Sequence, residues 1–192
     1  MTNQEIKNSA LATLEGNWTQ PVLATLVITA ISLCSSILGP LQPIVTLLVV
    51  VPVQFGLYVA LYQMTKDKTA NDTVSRTFNI AFGNYGRSLG VSLLIGLFTA
   101  LWCLLLFIPG IIKSYAYAMT YYIANDCPEL SANECIDKSI EMMRGHKMDL
   151  FLLDLSFIGW IILCLLSCGI GFLWLIPYEC TARADFYNKI KG

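Results

Sequence analysis

Ser131-Ala132-Asn133-Glu134 opens a short amphipathic run that closes at Gly145, and the same pattern occurs three times in the chain. Thr2-Asn3-Gln4-Glu5 leads to Gly16 and Thr69-Ala70-Asn71-Asp72 leads to Gly83, with one spacing from hydroxyl residue to glycine throughout (16 − 2, 83 − 69 and 145 − 131 are equal). Asn17-Trp18, Asn84-Tyr85 and His146-Lys147 follow the three glycines. Each unit then enters a long apolar region that contains Val51-Pro52, Ile108-Pro109 or Ile176-Pro177. A fixed spacing repeated in this way predicts tandem copies of one unit, an amphipathic helix followed by a membrane hairpin.

The unit has a physical logic. A Ser or Thr hydroxyl accepts from a free N–H of the first helical turn, and an acid three residues on returns a hydrogen bond to the cap. Glycine at the far end admits the left-handed conformation that closes a helix. Lys7/Val74/Ile136, Leu11/Phe78/Ile140 and Leu14/Ala81/Met143 step by four and three, which predicts one stripe per helix. Asp137, Lys138, Glu141 and Arg144 fill the opposite face of the third copy. Such helices suit a bilayer surface. A soluble helix with the same cap is the alternative, and an apolar run after every copy favours the bilayer.

Of the 192 residues, 56% are hydrophobic and 13% charged, against about 25% charged in a soluble domain. The composition predicts an integral membrane protein. A net charge of −1 offers no basic surface for nucleic acid. Met1-Thr2-Asn3-Gln4-Glu5 lacks the positive start of a signal peptide, so the first apolar run is expected to stay as an anchor. The seven cysteines include no C-x-x-C, and their odd number and placement in apolar runs argue against a disulfide framework or zinc. Cys164 and Cys168 lie one helical turn apart. No cofactor or metal is expected.

Taken in order, 21–38 is an uncharged run near the minimum length that spans hydrocarbon. The chain turns at 39–43 and returns over 44–64. The apolar region 89–124 is too long for one span; the repeat predicts a reversal within 99–104 and a return over 105–124. One broken helix, interrupted at Ile108-Pro109-Gly110, is the alternative. The third unit enters over 149–166, turns at 167–171 and returns over 172–187. The expected fold is an all-α membrane bundle of six spans, three hairpins about a pseudo-threefold axis, with repeats 1–66, 67–126 and 127–192 in a single domain. Lys and Arg fall at one side of it, with Lys113 the exception, which places both termini in the cytoplasm.

Ile108-Pro109-Gly110-Ile111-Ile112-Lys113-Ser114-Tyr115, Pro128-Glu129-Leu130-Ser131-Ala132-Asn133-Glu134, Gly145-His146-Lys147 and the run LFLLDLSFIGW at 150–160 resemble the bacterial membrane family known as domain of unknown function 975. That family is similar to the membrane domain accompanying some glycerophosphodiester phosphodiesterases. The resemblance covers nearly the whole chain and is strongest over 108–187. It implies a protein of the bacterial inner membrane and brings no activity with it; the soluble phosphodiesterase domain is not in this sequence.

Ionisable groups within a span are costly and mark functional sites by default. Lys113, Asp154, Glu179 and Arg183 are the candidates here. Aligning the prolines makes Gln54, Ile111 and Glu179 equivalent, likewise Gly56, Lys113 and Thr181, and likewise Tyr58, Tyr115 and Arg183. Return helices around one axis would then pair Lys113 with Glu179, near Gln54 and Asp154. Such a pair either fixes helix register or forms a site for a solute, ion or lipid headgroup, and snorkelling of Lys113 to an interface is the other outcome. His146 reads as a cap residue at an interface, and the tyrosines as packing and interface anchors. With no nucleophile, metal or nucleotide motif, the expected function is non-enzymatic. It is either binding or passage of a small solute or lipid, or scaffolding of a protein partner through Ile136, Ile140 and Met143. The bilayer is the expected partner in both.

Overall fold

The computed structural model describes residues 3–37, 39–67, 72–105, 107–167 and 169–191. Thr2, Thr69 and Cys168, which figure in the sequence expectations, lie outside the described residues. The described chain consists of helices joined by short turns. α1 is Asn3–Leu14 and α2 Thr19–Ser36. A 3₁₀ turn at Gly39–Leu41, α3 at Gln42–Val45, a π-helical segment at Thr46–Val50 and α4 at Val51–Asp67 form one continuous helical leg. α5 is Thr73–Gly83, α6 Tyr85–Leu105, α7 Phe107–Tyr117 and α8 Thr120–Asp126. α9 is Ala132–Met142, α10 Lys147–Leu155, α11 Ile158–Leu166 and α12 Phe172–Lys191.

Among the described residues, four helical legs are long and apolar enough to cross a membrane: Thr19–Ser36, Gly39–Asp67, Tyr85–Trp102 and Lys147–Leu166. The expected legs 105–124 and 172–187 are not among them. The first is broken at Ala118-Met119 into helices of 11 and 7 residues. The second is one helix of 20 residues that carries Glu179, Arg183, Asp185, Lys189 and Lys191.

The reversal also moves. α6 continues through 99–104 to Leu105, and α7 runs back along it with Phe98 facing Tyr117 and Lys113 facing Trp102. The chain therefore reverses between α6 and α7, later than the repeat predicts. Pro109 is the reason it can: it sits in the first turn of α7, where no N–H partner is required. In the continuous leg, Pro52 leaves the Leu48 carbonyl without its i+4 donor, and the Tyr85 hydroxyl donates to that oxygen at 2.8 Å.

The amphipathic helices bury Leu14, Ala81, Met143 and Ile136 as predicted, while the rest of each stripe lies one position off the predicted line. α1 buries Ile6, Ala10 and Leu14; α5 buries Thr73, Thr77 and Ala81; around α9, Cys135, Ser139 and Met143 are buried together with Ile136. These sets stand four, eight and twelve residues after Thr2, Thr69 and Ser131. Lys7 and Phe78 are half-buried and Leu11 is exposed. The buried stripe faces protein rather than a free surface: each helix runs antiparallel along a polar-ended one. α5 lies on α4, so closely that a Cβ on Gly56 would overlap the Thr77 carbonyl oxygen. α9 lies on α7 and α8, with the Ser139 hydroxyl donating to the Ala116 carbonyl at 2.7 Å. α1 lies on α12, with the Tyr178 hydroxyl donating to the Lys7 carbonyl at 3.4 Å. The two ends of the chain thus form the third such pair. Lys7 stands at a predicted apolar position because its ammonium donates to the Ser156 carbonyl at 2.7 Å, where α10 gives way to α11.

The predicted helix signals are present in part. Ser131 and Glu134 form the reciprocal capping box, and Gly16 and Gly145 take φ of +79° and +85°. Asp72 instead becomes the N-cap of α5 in a left-handed conformation with no side-chain cap bond, so that helix starts later than the spacing predicts.

Candidate functional site

The candidate charges come together around Arg183, not Lys113. From the middle of α12, the Arg183 guanidinium donates to Asp154 of α10 through Nη2 at 2.9 Å and Nε at 3.3 Å. Nη2 also lies 2.8 Å from Glu179, one turn earlier on α12. The arginine and Asp154 keep only 28% and 17% of their side-chain exposure. The Tyr115 hydroxyl from α7 lies against the Asp154 carboxylate.

The expected Lys113–Glu179 pair is not formed. Among the described residues Glu179 is paired with Arg183, and the Lys113 ammonium stands 4.8 Å over the Trp102 ring. The physical reason is packing: α7 lies against α6, α9 and α10, whereas α12 lies against α4, α1, α2, α10 and α11. Gln54 is also apart from the cluster; its side chain is exposed on α4. Of the five predicted positions, Asp154, Glu179 and Arg183 share one site, and Gln54 and Lys113 do not belong to it.

A cavity of about 350 Å³ opens beside this cluster, lined by Asp154, Arg183, Thr99, Ser114 and the rings of Tyr58, Tyr115, Tyr117, Tyr121 and Tyr122. Tyr58 stacks on Tyr121 at 5.5 Å, and Phe55 meets Tyr121 edge-on at 5.4 Å. Tyr122 is 1% exposed, and its hydroxyl is buried without a hydrogen-bond partner. A larger cavity, about 480 Å³ between α1, α2, α11 and α12, is walled by Trp18, Trp160, Trp174 and leucines and carries no charged group. We place the site at the smaller cavity because hydrogen-bonding and charged groups converge there.

A second cluster, which sequence reasoning misses, lies at the polar ends of α4, α8 and α12. The rings of Tyr62, Tyr122 and Tyr187, one from each helix, stand 5.3 Å apart in every pairing. Four residues after each tyrosine comes a charge: Lys66, Asp126 and Lys191. Asp126 accepts from Lys66 at 3.0 Å, Tyr62 at 2.6 Å, Tyr187 at 3.3 Å and Lys191. Burial alone would raise the pKa of this carboxyl, yet the hydrogen bonds from Lys191, Tyr62 and Lys66 prevail and hold it lowered, at about 2. Gln63 donates to Asn125 at 3.4 Å and Asn188 to Thr65 at 2.9 Å, joining the same helix ends. The signal is present as Tyr-x-x-x-charge in three helices. Proline alignment conceals it, because Tyr62 and Tyr187 lie ten residues after their prolines and Tyr122 thirteen.

Arg87 fixes the loop between α8 and α9. Its guanidinium donates to the carbonyls of Ala124, Cys127, Pro128 and Leu130, at 2.7–3.3 Å. His146 caps α10, its Nδ1 3.2 Å from Asp149.

No curated protein and no solved structure matches the chain. Residues 103–192, which carry α7 to α12 and with them Asp126, Asp154, Glu179 and Arg183, match the family described as "Protein of unknown function (DUF975)".

Proposed function

We propose that this chain is a non-enzymatic, multi-pass protein of the bacterial cytoplasmic membrane that binds a small solute or lipid headgroup in the cavity beside Arg183. The observation that carries the reading is that cavity itself. In a chain with 13% charged residues, an arginine, a carboxylate and a wall of tyrosines line about 350 Å³ between apolar helices, and a second carboxylate, Glu179, pairs with the arginine. Keeping such groups in this setting costs several kcal/mol unless they are paired, and the pairing leaves hydrogen-bonding capacity facing open space.

The architecture we propose around it is threefold. The three antiparallel helix pairs, the three tyrosines, and the positions of Lys66, Asp126 and Lys191 support a ring of three repeats closed by α1 on α12. The polar helix ends and both termini face the cytoplasm in this reading, since the basic residues collect there. Scaffolding through the amphipathic helices has less support, because Ile136 and Met143, the anchors it needs, are buried within the chain.

The test is thermal unfolding of the detergent-solubilised protein against a panel of cationic, anionic, zwitterionic and neutral solutes. A ligand at a hundred times its Kd stabilises by about 2.7 kcal/mol, well within detection. The reading predicts a solute that stabilises the wild type and not Ser114→Phe, which fills the cavity. A panel with no such solute contradicts it.

A further inference from the structure

Resting on the reading just given, we propose that the cavity beside Arg183 takes an organic cation, a protonated amine or quaternary ammonium group. Arg183 and Asp154 line the cavity with one charge of each sign, and Glu179, outside the lining and 2.8 Å from Arg183 Nη2, adds a second negative one to the cluster. Among the described residues that line the cavity no other group is charged. Lys113, on α7, stands over the Trp102 ring and does not line the cavity. The cluster therefore holds one negative charge in excess, in surroundings where water screens poorly. An anionic ligand would raise that excess to two, whereas a monocation cancels it.

The walls fit the same class. Tyr58, Tyr115 and Tyr121 border the space; aromatic rings attract ammonium groups. The cavity, about 350 Å³, lies at the small end of the range usual for ligand pockets, so the ligand is a small amine or one headgroup rather than a whole lipid.

Three probes of one shape separate the outcomes: benzyltrimethylammonium, its neutral isostere neopentylbenzene, and phenylacetate as the anion. Binding is measured on the full chain in nanodiscs of phosphatidylglycerol, by calorimetry for the ions and by competition for the neutral probe. The proposal predicts binding of the cation alone, lost in Ser114→Phe and weakened about tenfold in Glu179→Gln, which removes the excess charge while leaving Asp154 on Arg183. Binding of the anion or of the neutral isostere, abolished by Ser114→Phe, overturns the charge class while the site survives. Binding of no probe, or binding unaffected by Ser114→Phe, overturns both. Adding phosphatidylethanolamine to the nanodiscs then identifies the source. Competition with the probe points to a lipid amine, and its absence to a free amine; either outcome keeps the class.

Discussion

Replacing Arg183 by methionine keeps much of the length and the apolar stem of the side chain and removes its charge. Asp154 and Glu179 then face each other's field with no cation between them. Removing one partner of a fully buried pair costs about 3–5 kcal/mol. Arg183 and Asp154 retain 28% and 17% exposure, so the residual carboxylates find some water and the expected loss is about 2–3 kcal/mol. Asp154→Leu leaves the guanidinium with Glu179 as its partner and is expected to cost less, about 1–2 kcal/mol. The double variant retains no unpaired carboxylate at 154 and loses about as much as Arg183→Met alone, which gives a coupling of about 1–2 kcal/mol. Reversible unfolding in mixed micelles, titrated with SDS, measures all four members of the cycle. Residues in contact couple by about 0.5 kcal/mol or more, so a smaller value would refute the reasoning that this pair organises the site. The same cycle on Lys113→Met and Glu179→Gln is expected to be additive, because the lysine stands on Trp102 and not on the glutamate.

Gly56→Ala drives a Cβ into the Thr77 carbonyl oxygen; α4 and α5 must move apart, and the melting temperature falls by the equivalent of about 1–3 kcal/mol. Asp126 has a folded-state pKa lowered to about 2 from an ordinary 3.8, so its contribution is complete above the ordinary value and is lost as pH falls through about 4 towards 2. Wild-type stability should drop across that window. Asp126→Asn should be less stable at neutral pH and show a smaller drop, as followed by circular dichroism. Arg87→Lys replaces a planar fork on four carbonyls by a point donor, and a loss of about 1–2 kcal/mol is expected, with the 127–131 loop the first to gain protease sensitivity.

Local signals in this chain are readable wherever they depend on neighbours in sequence. The capping box at Ser131, the closing glycines at 16 and 145, and the amphipathic character of α1, α5 and α9 all follow from spacing. Leu14, Ala81, Ile136 and Met143 are buried where the stripe puts them. The other positions lie one residue off, because small buried residues such as Ala10, Thr77 and Ser139 carry little hydrophobic signal although close helix contact requires them. Tertiary register is harder. The break at Ala118-Met119 advances the second unit by three residues relative to its proline, so that Tyr122 and Asp126, not Met119 and Ile123, come level with Tyr62/Lys66 and Tyr187/Lys191. Lys113, which precedes the break, misses Glu179 for another reason: α7 packs on α6, α9 and α10. Asp154, Glu179 and Arg183 are recognisable as costly charges, while their mutual pairing rests on α10 packing against α12, which no short-range pattern encodes.

The most direct measurement is a density map of the full chain in lipid nanodiscs, inspected at Arg183. The predicted result is a guanidinium held between Asp154 and Glu179, beside an open cavity bounded by Tyr58, Tyr115 and Tyr121 that contains water or ligand density. A closed, dry cluster, or an Arg183 turned to partners other than these two carboxylates, would contradict it.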